Sequence, residues 1–171
     1  LLNHLVTKDC EVSLLLPEPS DNDVLLEKVS PAVSVKYIYT DRGSHLSRKI
    51  GQNIMIFFPR FFSRQKGIDE SDYDMIVCFK ETFFARLFSW MQLPKILWVH
   101  NIVYRRKYEI NSFRDKLSVW LNKKQLKVTQ RSYDRFDKII CVSDAAKNAY
   151  IDVLHDGHTP HQDVQVLYNA I

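Results

Sequence analysis

Three apolar runs set the fold class of this chain: DMIVCF at residues 74–79, PKILWV at residues 94–99 and FDKIICV at residues 136–142. The runs are rich in β-branched residues, and helical patterns lie between them. Continuous apolar runs of this kind are typical of buried strands in a parallel sheet. We therefore predict an α/β fold of Rossmann-like type, with three layers (α/β/α) around a mainly parallel sheet.

Weaker patterns continue this alternation of strands and helices. Further strands are predicted at 11–16, 33–39 and 164–168, and helices at 82–91, 112–132 and 143–154. A longer helical pattern at 45–66 is interrupted by Pro59. The chain opens in a helical pattern, whereas folds of this type begin with a strand. We therefore expect the first strand of the fold to lie upstream of Leu1.

Each of the three apolar runs ends in a polar pair. The pairs are Lys80-Glu81, His100-Asn101 and Ser143-Asp144. In open α/β sheets, ligands bind in the crevice beyond the carboxyl ends of the strands. The sequence therefore predicts that Glu81, His100 and Ser143 lie along one edge of the sheet, where a polar ligand would bind.

Each of these side chains has a plausible chemical role and a simpler structural one. His100 could hold a hydroxyl or phosphate oxygen, or it could bond a backbone carbonyl. Glu81 could accept hydrogen bonds from ligand hydroxyls, or it could favour a helix N-terminus. Ser143 could help to bind an anion at a helix N-terminus, or it could cap its own helix. Arg105 and Arg106 could pair with a phosphate, or they could lie on a surface loop.

Composition is that of an ordinary globular domain. The chain has 171 residues, of which 46% are hydrophobic and 26% charged, which fits one domain. Cys10, Cys78 and Cys141 provide neither a disulfide framework nor a C-x-x-C metal motif. Together with the lack of an apolar stretch long enough to span a membrane, this favours a reducing, cytoplasmic setting.

Basic residues crowd the segment between Arg105 and Arg135. This segment contains the predicted helix at 112–132, which has an apolar side formed by Phe113, Leu117, Trp120, Leu121 and Leu126. Such a region favours an anionic partner, namely phosphate, acidic lipid or nucleic acid, although it could also be a solvated helix surface. The aromatic cluster at 57–62 could rest on a membrane surface, but a core helix is the simpler interpretation.

Metal and nucleotide motifs are weak or missing. His155, His158 and His161 lie in a loop with Gly157 and Pro160, without the helical spacing that would direct three imidazoles at one ion, so no metal site is predicted. The sequence has no G-x-G-x-x-G, no P-loop and no G-x-S-x-G motif. A nucleotide-using enzyme of this fold would therefore need further protein, and we predict no bound cofactor.

Four segments taken in order resemble a known family. They are YDMIVCFKE, KILWVHN, FDKIICVSDAAKNAY and VQVLYNAI. Together they resemble the N-terminal domain of glycosyltransferase family 4, which comprises retaining enzymes of the GT-B fold that use a nucleotide sugar. The resemblance covers most of the chain from Asp72 onward and, more weakly, residues 1–16. It implies that residues 1–171 form the acceptor-side Rossmann-like domain, a fragment without the donor-binding domain.

The resemblance also implies roles for individual residues. His100 matches the family histidine that faces the interdomain cleft near the transferred sugar, and it is our candidate catalytic residue. Glu81 and Ser143 match an acidic position and the serine of the V-S motif, so they are candidates for substrate binding, together with Asn101 and Arg105. Asn101 replaces the small residue or threonine that is often found beside the histidine.

The implied partners are a nucleotide-sugar donor and a glycan or lipid-linked acceptor, in the synthesis of a surface polysaccharide. Peripheral membrane contact would fit such an acceptor, and nucleic acid is not expected. The main alternative is a non-catalytic Rossmann-like binding module that uses its basic face for nucleic acid or a protein partner. A sugar-nucleotide epimerase of related shape is disfavoured by the V-S and Y-N-A-I segments.

Overall fold

The computed structural model describes residues 1–17, 24, 26–38, 68–79, 83–101 and 112–168. The chain divides into two compact units, residues 1–51 and residues 52–171.

The first unit contains a small parallel sheet. Its elements are helix α1 (Leu2–Val6), strand β1 (Ser13–Leu16), a single 3-10 turn (Leu26–Lys28) and strand β2 (Ser34–Tyr37). The two strands run parallel, with Ser13 opposite Ser34 and Leu16 opposite Tyr37. The Asn3 side chain joins α1 to the segment before β2, because it donates to the Lys28 carbonyl at 2.9 Å and accepts from the Ser30 N–H at 2.8 Å.

The second unit contains a four-stranded sheet. Its strands are β3 (Ile76–Cys78), β4 (Lys95–Val99), β5 (Lys138–Cys141) and β6 (Asp163–Val166). They are connected through helices α2 (Phe83–Phe88), α3 (Phe113–Tyr133) and α4 (Asp144–Leu154), and a 3-10 turn (Glu70–Asp72) precedes β3. The strand order is β3-β4-β5-β6, and every pairing is parallel. The predicted α/β class and the parallel, Rossmann-like pairing are confirmed.

One face of the four-stranded sheet carries the core of this unit. Leu97, Val99, Ile139 and Cys141 alternate along β4 and β5 and are fully buried. Their neighbours in sequence, such as Trp98 and Ile140, lie on the other face and are half-buried. This two-residue alternation is what a pleated strand imposes. It also decides which side chains near the strand ends can lie next to one another.

Helices α2 and α4 contact the strands, and α3 contacts both of these helices. The largest buried side chains are aromatic. Tyr133 at the end of α3 stacks on Tyr150 of α4, with ring centroids 6.4 Å apart, and Phe136 is 1% exposed just before β5. Burial raises the pKa of the Tyr150 hydroxyl above its ordinary value. These contacts hold α3 and α4 against the strands that carry the candidate site.

Polar groups fix the amino ends of β4 and β5. The Lys95 N–H donates to the Asp137 carboxylate at 2.6 Å, and the Asp137 N–H donates to the Lys95 carbonyl at 2.9 Å. The buried Lys95 ammonium group donates to the Met91 and Leu93 carbonyls. A buried cation needs such partners. The two bonds between Lys95 and Asp137 join β4 to the residue before β5, where both strands enter the sheet.

The predicted strands and helices that fall on described residues are present to within a few residues. The longer helical pattern at 45–66, with the aromatic cluster at 57–62, lies outside the described residues. One expectation for the helix at 112–132 is wrong. Leu126 does not share a side with Phe113, Leu117, Trp120 and Leu121, because it is half-buried whereas those four are exposed.

Candidate functional site

The carboxyl ends of three neighbouring strands meet at one edge of the four-stranded sheet. Val99 at the end of β4 pairs with Cys141, and Cys141 pairs with Val166. Two further bonds extend this ladder, from the Val142 N–H to the Val99 carbonyl at 3.2 Å and from the Leu167 N–H to the Cys141 carbonyl at 2.9 Å. The residues that follow β4, β5 and β6 therefore emerge side by side. We call this edge the carboxyl rim and define it by residues 100–101, 143–144 and 167–168.

His100 and Asn101 lie on the carboxyl rim, and both are exposed. His100 follows the same alternation as Trp98, so its imidazole lies beside the Trp98 ring, with centroids 6.4 Å apart and planes at 18°. Phe79, directly after β3, stacks on Trp98 with centroids 5.1 Å apart. Phe79 also lies 6.2 Å from the imidazole, centroid to centroid, so the three rings form one cluster. A ligand at His100 would meet one polar group beside an apolar surface.

Ser143 also lies on the carboxyl rim, directly before α4, and its side chain is half-buried. Its hydroxyl oxygen accepts from the Ala146 N–H at 3.1 Å, and its carbonyl accepts from the Lys147 N–H at 3.0 Å. This is the geometry of an N-cap residue. Ser143 therefore caps its own helix, which is the simpler of its two predicted roles. A role of Ser143 in binding substrate stays a prediction.

Replacing Ser143 with alanine is expected to destabilise the domain by about 1 kcal/mol, because the Ala146 N–H loses its capping partner. Urea unfolding followed by circular dichroism measures this change. Ser118 provides a matched control, because it lies exposed within α3 and alanine favours a helix interior. Equal losses of stability in Ser143→Ala and Ser118→Ala would contradict the capping role.

A hydrogen bond between two side chains of the carboxyl rim was not predicted from the sequence. The Tyr168 hydroxyl, which follows β6, donates a hydrogen bond to the carboxylate of Asp144 in the first turn of α4. This bond raises the pKa of the Tyr168 hydroxyl above its ordinary value. It joins the ends of β5 and β6 across 24 residues of sequence. In the sequence, Asp144 belongs to the polar pair that follows the third apolar run, and Tyr168 lies in the Y-N-A-I segment.

Two of the predicted site residues, Glu81 and Arg105, lie outside the described residues. Of the five candidates, the structure therefore places His100, Asn101 and Ser143, and it brings these three to the same edge of the sheet. Their roles in catalysis or binding stay predictions.

The three histidines of the loop after α4 do not share one environment. His155 follows the last residue of α4, and its ring packs on Tyr150 with centroids 5.0 Å apart. Burial lowers its pKa, although the Asp134 carboxylate 3.7 Å away acts in the opposite direction. His158 and His161 are exposed. Across the described ranges, no group of three or more His, Cys, Asp or Glu side chains is arranged to hold a metal ion.

The sequence predicted neither a disulfide framework nor a membrane-spanning helix. Cys10 is exposed and Cys78 and Cys141 are buried, and none of the three forms a disulfide. Within the parts of the chain that the structure describes, no helix combines the length and apolar character that crossing a bilayer requires.

Comparison with known proteins identifies the family. The sequence model of the family Glycosyltransferase Family 4 matches residues 1–171, which is the whole chain. The chain therefore belongs to Glycosyltransferase Family 4, and the resemblance found in its strand-end motifs is confirmed. No curated protein matches the chain.

Proposed function

We propose that residues 1–171 are the N-terminal, acceptor-side domain of a retaining glycosyltransferase. The enzyme transfers a hexose-type sugar from a nucleotide-sugar donor to a glycan or lipid-linked acceptor, in the synthesis of a surface polysaccharide. The reaction takes place on the cytoplasmic side, with peripheral membrane contact where the acceptor is lipid-linked. The donor is bound mainly by a second domain of the protein.

The observation that carries this proposal is the exposure of His100 and Asn101 on the carboxyl rim of a family member. Ligands of parallel α/β sheets bind beyond the carboxyl ends of the strands. Neighbouring residues of β4 and β5 are buried as core, whereas these polar side chains at the end of β4 are exposed and a substrate can reach them. Their position is what a sugar-binding site on this fold requires.

In the proposed reaction, the bond between the anomeric carbon of the sugar and the diphosphate oxygen breaks. An acceptor hydroxyl forms a new bond to that carbon on the same face. The nucleoside diphosphate leaves with the electrons of the broken bond, and its departing oxygen takes the proton of the acceptor hydroxyl. His100 hydrogen-bonds the sugar as charge develops at the reacting carbon. Asn101 and Ser143 orient hydroxyl groups, with Glu81 as an acceptor and Arg105 paired with phosphate.

This proposal involves no metal ion and no tightly bound cofactor. The leaving diphosphate is negatively charged. Basic side chains can stabilise this charge, so no metal ion is required. Arg105 is the candidate for this role on the present chain, and the second domain supplies the others.

The alternative of a binding module without catalysis is favoured by one observation, the basic surface of α3. A module that binds nucleic acid should do so with an affinity that falls steeply as salt rises, because phosphate counterions are released. A transferase domain should show no such binding. Family membership favours the transferase.

The test is an activity assay of the full-length protein with a panel of nucleotide sugars and glycan or lipid-linked acceptors. The proposal predicts a glycosylated product whose anomeric configuration, read by NMR, equals that of the donor. Residues 1–171 expressed alone should give no product. Full-rate transfer by residues 1–171 alone, or a product of inverted configuration, would contradict the proposal.

A further inference from the structure

The outer side of α3 exposes large apolar side chains. Phe113 is 83% exposed, and Leu117, Trp120 and Leu121 are exposed by 47%, 50% and 52%. With about 3.6 residues per turn, these four residues occupy about a third of the circumference of the helix. Phenylalanine, leucine and tryptophan are costly to leave in water. Single exposed apolar residues are ordinary, but a contiguous group of them usually marks an interaction surface.

The inner side of α3 is already occupied. Val119, Leu126 and Gln130 are half-buried along it, and the helix contacts α2 and α4 there. The Arg86 guanidinium of α2 also donates to the Thr129 hydroxyl at 3.4 Å. The exposed group therefore does not result from a helix that is turned the wrong way. Helix α3 has two apolar sides: the inner side packs against α2 and α4, and the outer side faces away from them.

Basic side chains surround the exposed apolar group. Along its 21 residues, α3 carries six basic residues against the single acid Asp115. The basic residues are Arg114, Lys116, Lys123, Lys124, Lys127 and Arg131, and all six are exposed. Asp115 is used internally, because its carboxylate accepts from the N–H and the hydroxyl of Ser112 in the capping box of the helix. The outward charge of α3 is therefore strongly positive.

Lys124 and Trp120 show how the two kinds of side chain combine. The Lys124 ammonium lies 4.0 Å from the centroid of the Trp120 ring. Its methylene stem covers part of the apolar group while the charge stays at the outer surface. Tryptophan beside lysine is the pairing found where protein meets the boundary between lipid headgroups and acyl chains.

We propose that the outer side of α3, the residues from Phe113 to Arg131 that face away from α2 and α4, docks on an anionic membrane surface. The helix lies parallel to the bilayer plane, with Phe113, Leu117, Trp120 and Leu121 inserted at the depth of the headgroups. The lysines and arginines pair with lipid phosphates around this wedge. At about 1.5 Å per residue, α3 extends about 30 Å along the surface.

Charge and shape favour a membrane over other partners. A second copy of the helix would bring Lys124, Lys127 and Arg131 against like charges. Nucleic acid would satisfy the basic residues but would leave Leu117 and Leu121 without an apolar partner. An anionic bilayer satisfies both, since it offers phosphates at its surface and acyl chains beneath. The inference rests on the membrane contact in the proposed function and assigns it to a surface. The two can fail separately, because transfer to a water-soluble acceptor reports on the carboxyl rim without any membrane.

The test measures binding of the full-length protein to vesicles of phosphatidylcholine mixed with phosphatidylglycerol, with pure phosphatidylcholine vesicles in parallel. The anionic vesicles should bind the protein more tightly. Phe113→Ala/Trp120→Ala should weaken this binding by about tenfold or more, because about 1.4 kcal/mol of lost apolar insertion corresponds to a factor of ten. Lys124→Glu/Lys127→Glu should weaken it by at least as much, and added salt should weaken the wild type.

Matched variants elsewhere on the chain separate docking from general effects. Val24→Ala/Met75→Ala removes two other exposed apolar side chains, and Lys8→Glu/Lys28→Glu reverses two other exposed charges. Both should bind as the wild type does, and all four variants should keep its melting temperature. Lipids brominated along the acyl chain should quench the wild type more than Trp120→Phe.

Three results would overturn the proposal. One is vesicle binding that the α3 variants leave unchanged. Another is a Trp120 emission that brominated lipids do not quench. The third is salt-dependent binding to nucleic acid, or self-association through α3, in the absence of any affinity for vesicles.

Discussion

Replacing His100 with alanine is expected to lower kcat/KM of the full-length transferase by roughly 100-fold or more, which is the usual cost of losing a side chain that stabilises charge in the transition state. The melting temperature should not change, because His100 is exposed and follows the last residue of β4. The core residues Leu97 and Val99 beneath it stay in place. Steady-state kinetics and a thermal melt measure the two quantities.

The matched control is His158→Ala. His158 is an exposed histidine in the loop between α4 and β6, at the end of the helix remote from the carboxyl rim. The His158→Ala enzyme should retain full activity. An active His100→Ala enzyme would contradict the proposed site, and a large fall in its melting temperature would show that His100 serves the fold instead.

Replacing Phe136 with alanine is expected to destabilise the domain by about 3–5 kcal/mol, since a large buried ring is lost and a cavity stays behind. Phe136 is 1% exposed. It lies in the turn between α3 and β5, where its N–H also donates to the Tyr133 carbonyl at 3.0 Å. Urea unfolding followed by tryptophan fluorescence gives the change in the free energy of unfolding.

Phe113→Ala makes the same chemical change at a position that is 83% exposed. Its effect on the free energy of unfolding should stay within about 0.5 kcal/mol. A loss at Phe113 as large as that at Phe136 would mean that the outer side of α3 is covered by protein. The docking surface proposed for α3 would then not exist.

Strands β3, β4 and β5 were predictable from the sequence because each lies in a short, continuous apolar run. Residues 95–99 and 138–141 have no competing helical periodicity, and a buried parallel strand is the simplest structure for them. The two sides of α3 were harder to predict, since the helix carries apolar residues on both. Periodicity reports that Phe113, Leu117 and Trp120 share a side, but not whether any element covers that side.

The carboxyl rim was predictable for a similar reason. His100 and Ser143 follow apolar runs directly, and the carboxyl ends of parallel strands meet at one edge of the sheet. The role of Ser143 as a cap was one of two open alternatives, which differ by a single hydrogen bond to the Ala146 N–H. The bond between Asp144 and Tyr168 could not be predicted, because it depends on how the ends of β5 and β6 are placed in three dimensions.

The central claim is that substrate binds at the carboxyl rim, and amide hydrogen exchange of the full-length protein tests it most directly. Exchange is compared with and without the nucleotide-sugar donor and acceptor that give product in the activity assay. We expect slower exchange at residues 100–101 and 143–144, and no change in the loop at 156–161 that enters β6 from the other end of the sheet. Unchanged exchange at His100 and Ser143, with protection confined to that loop, would contradict the account.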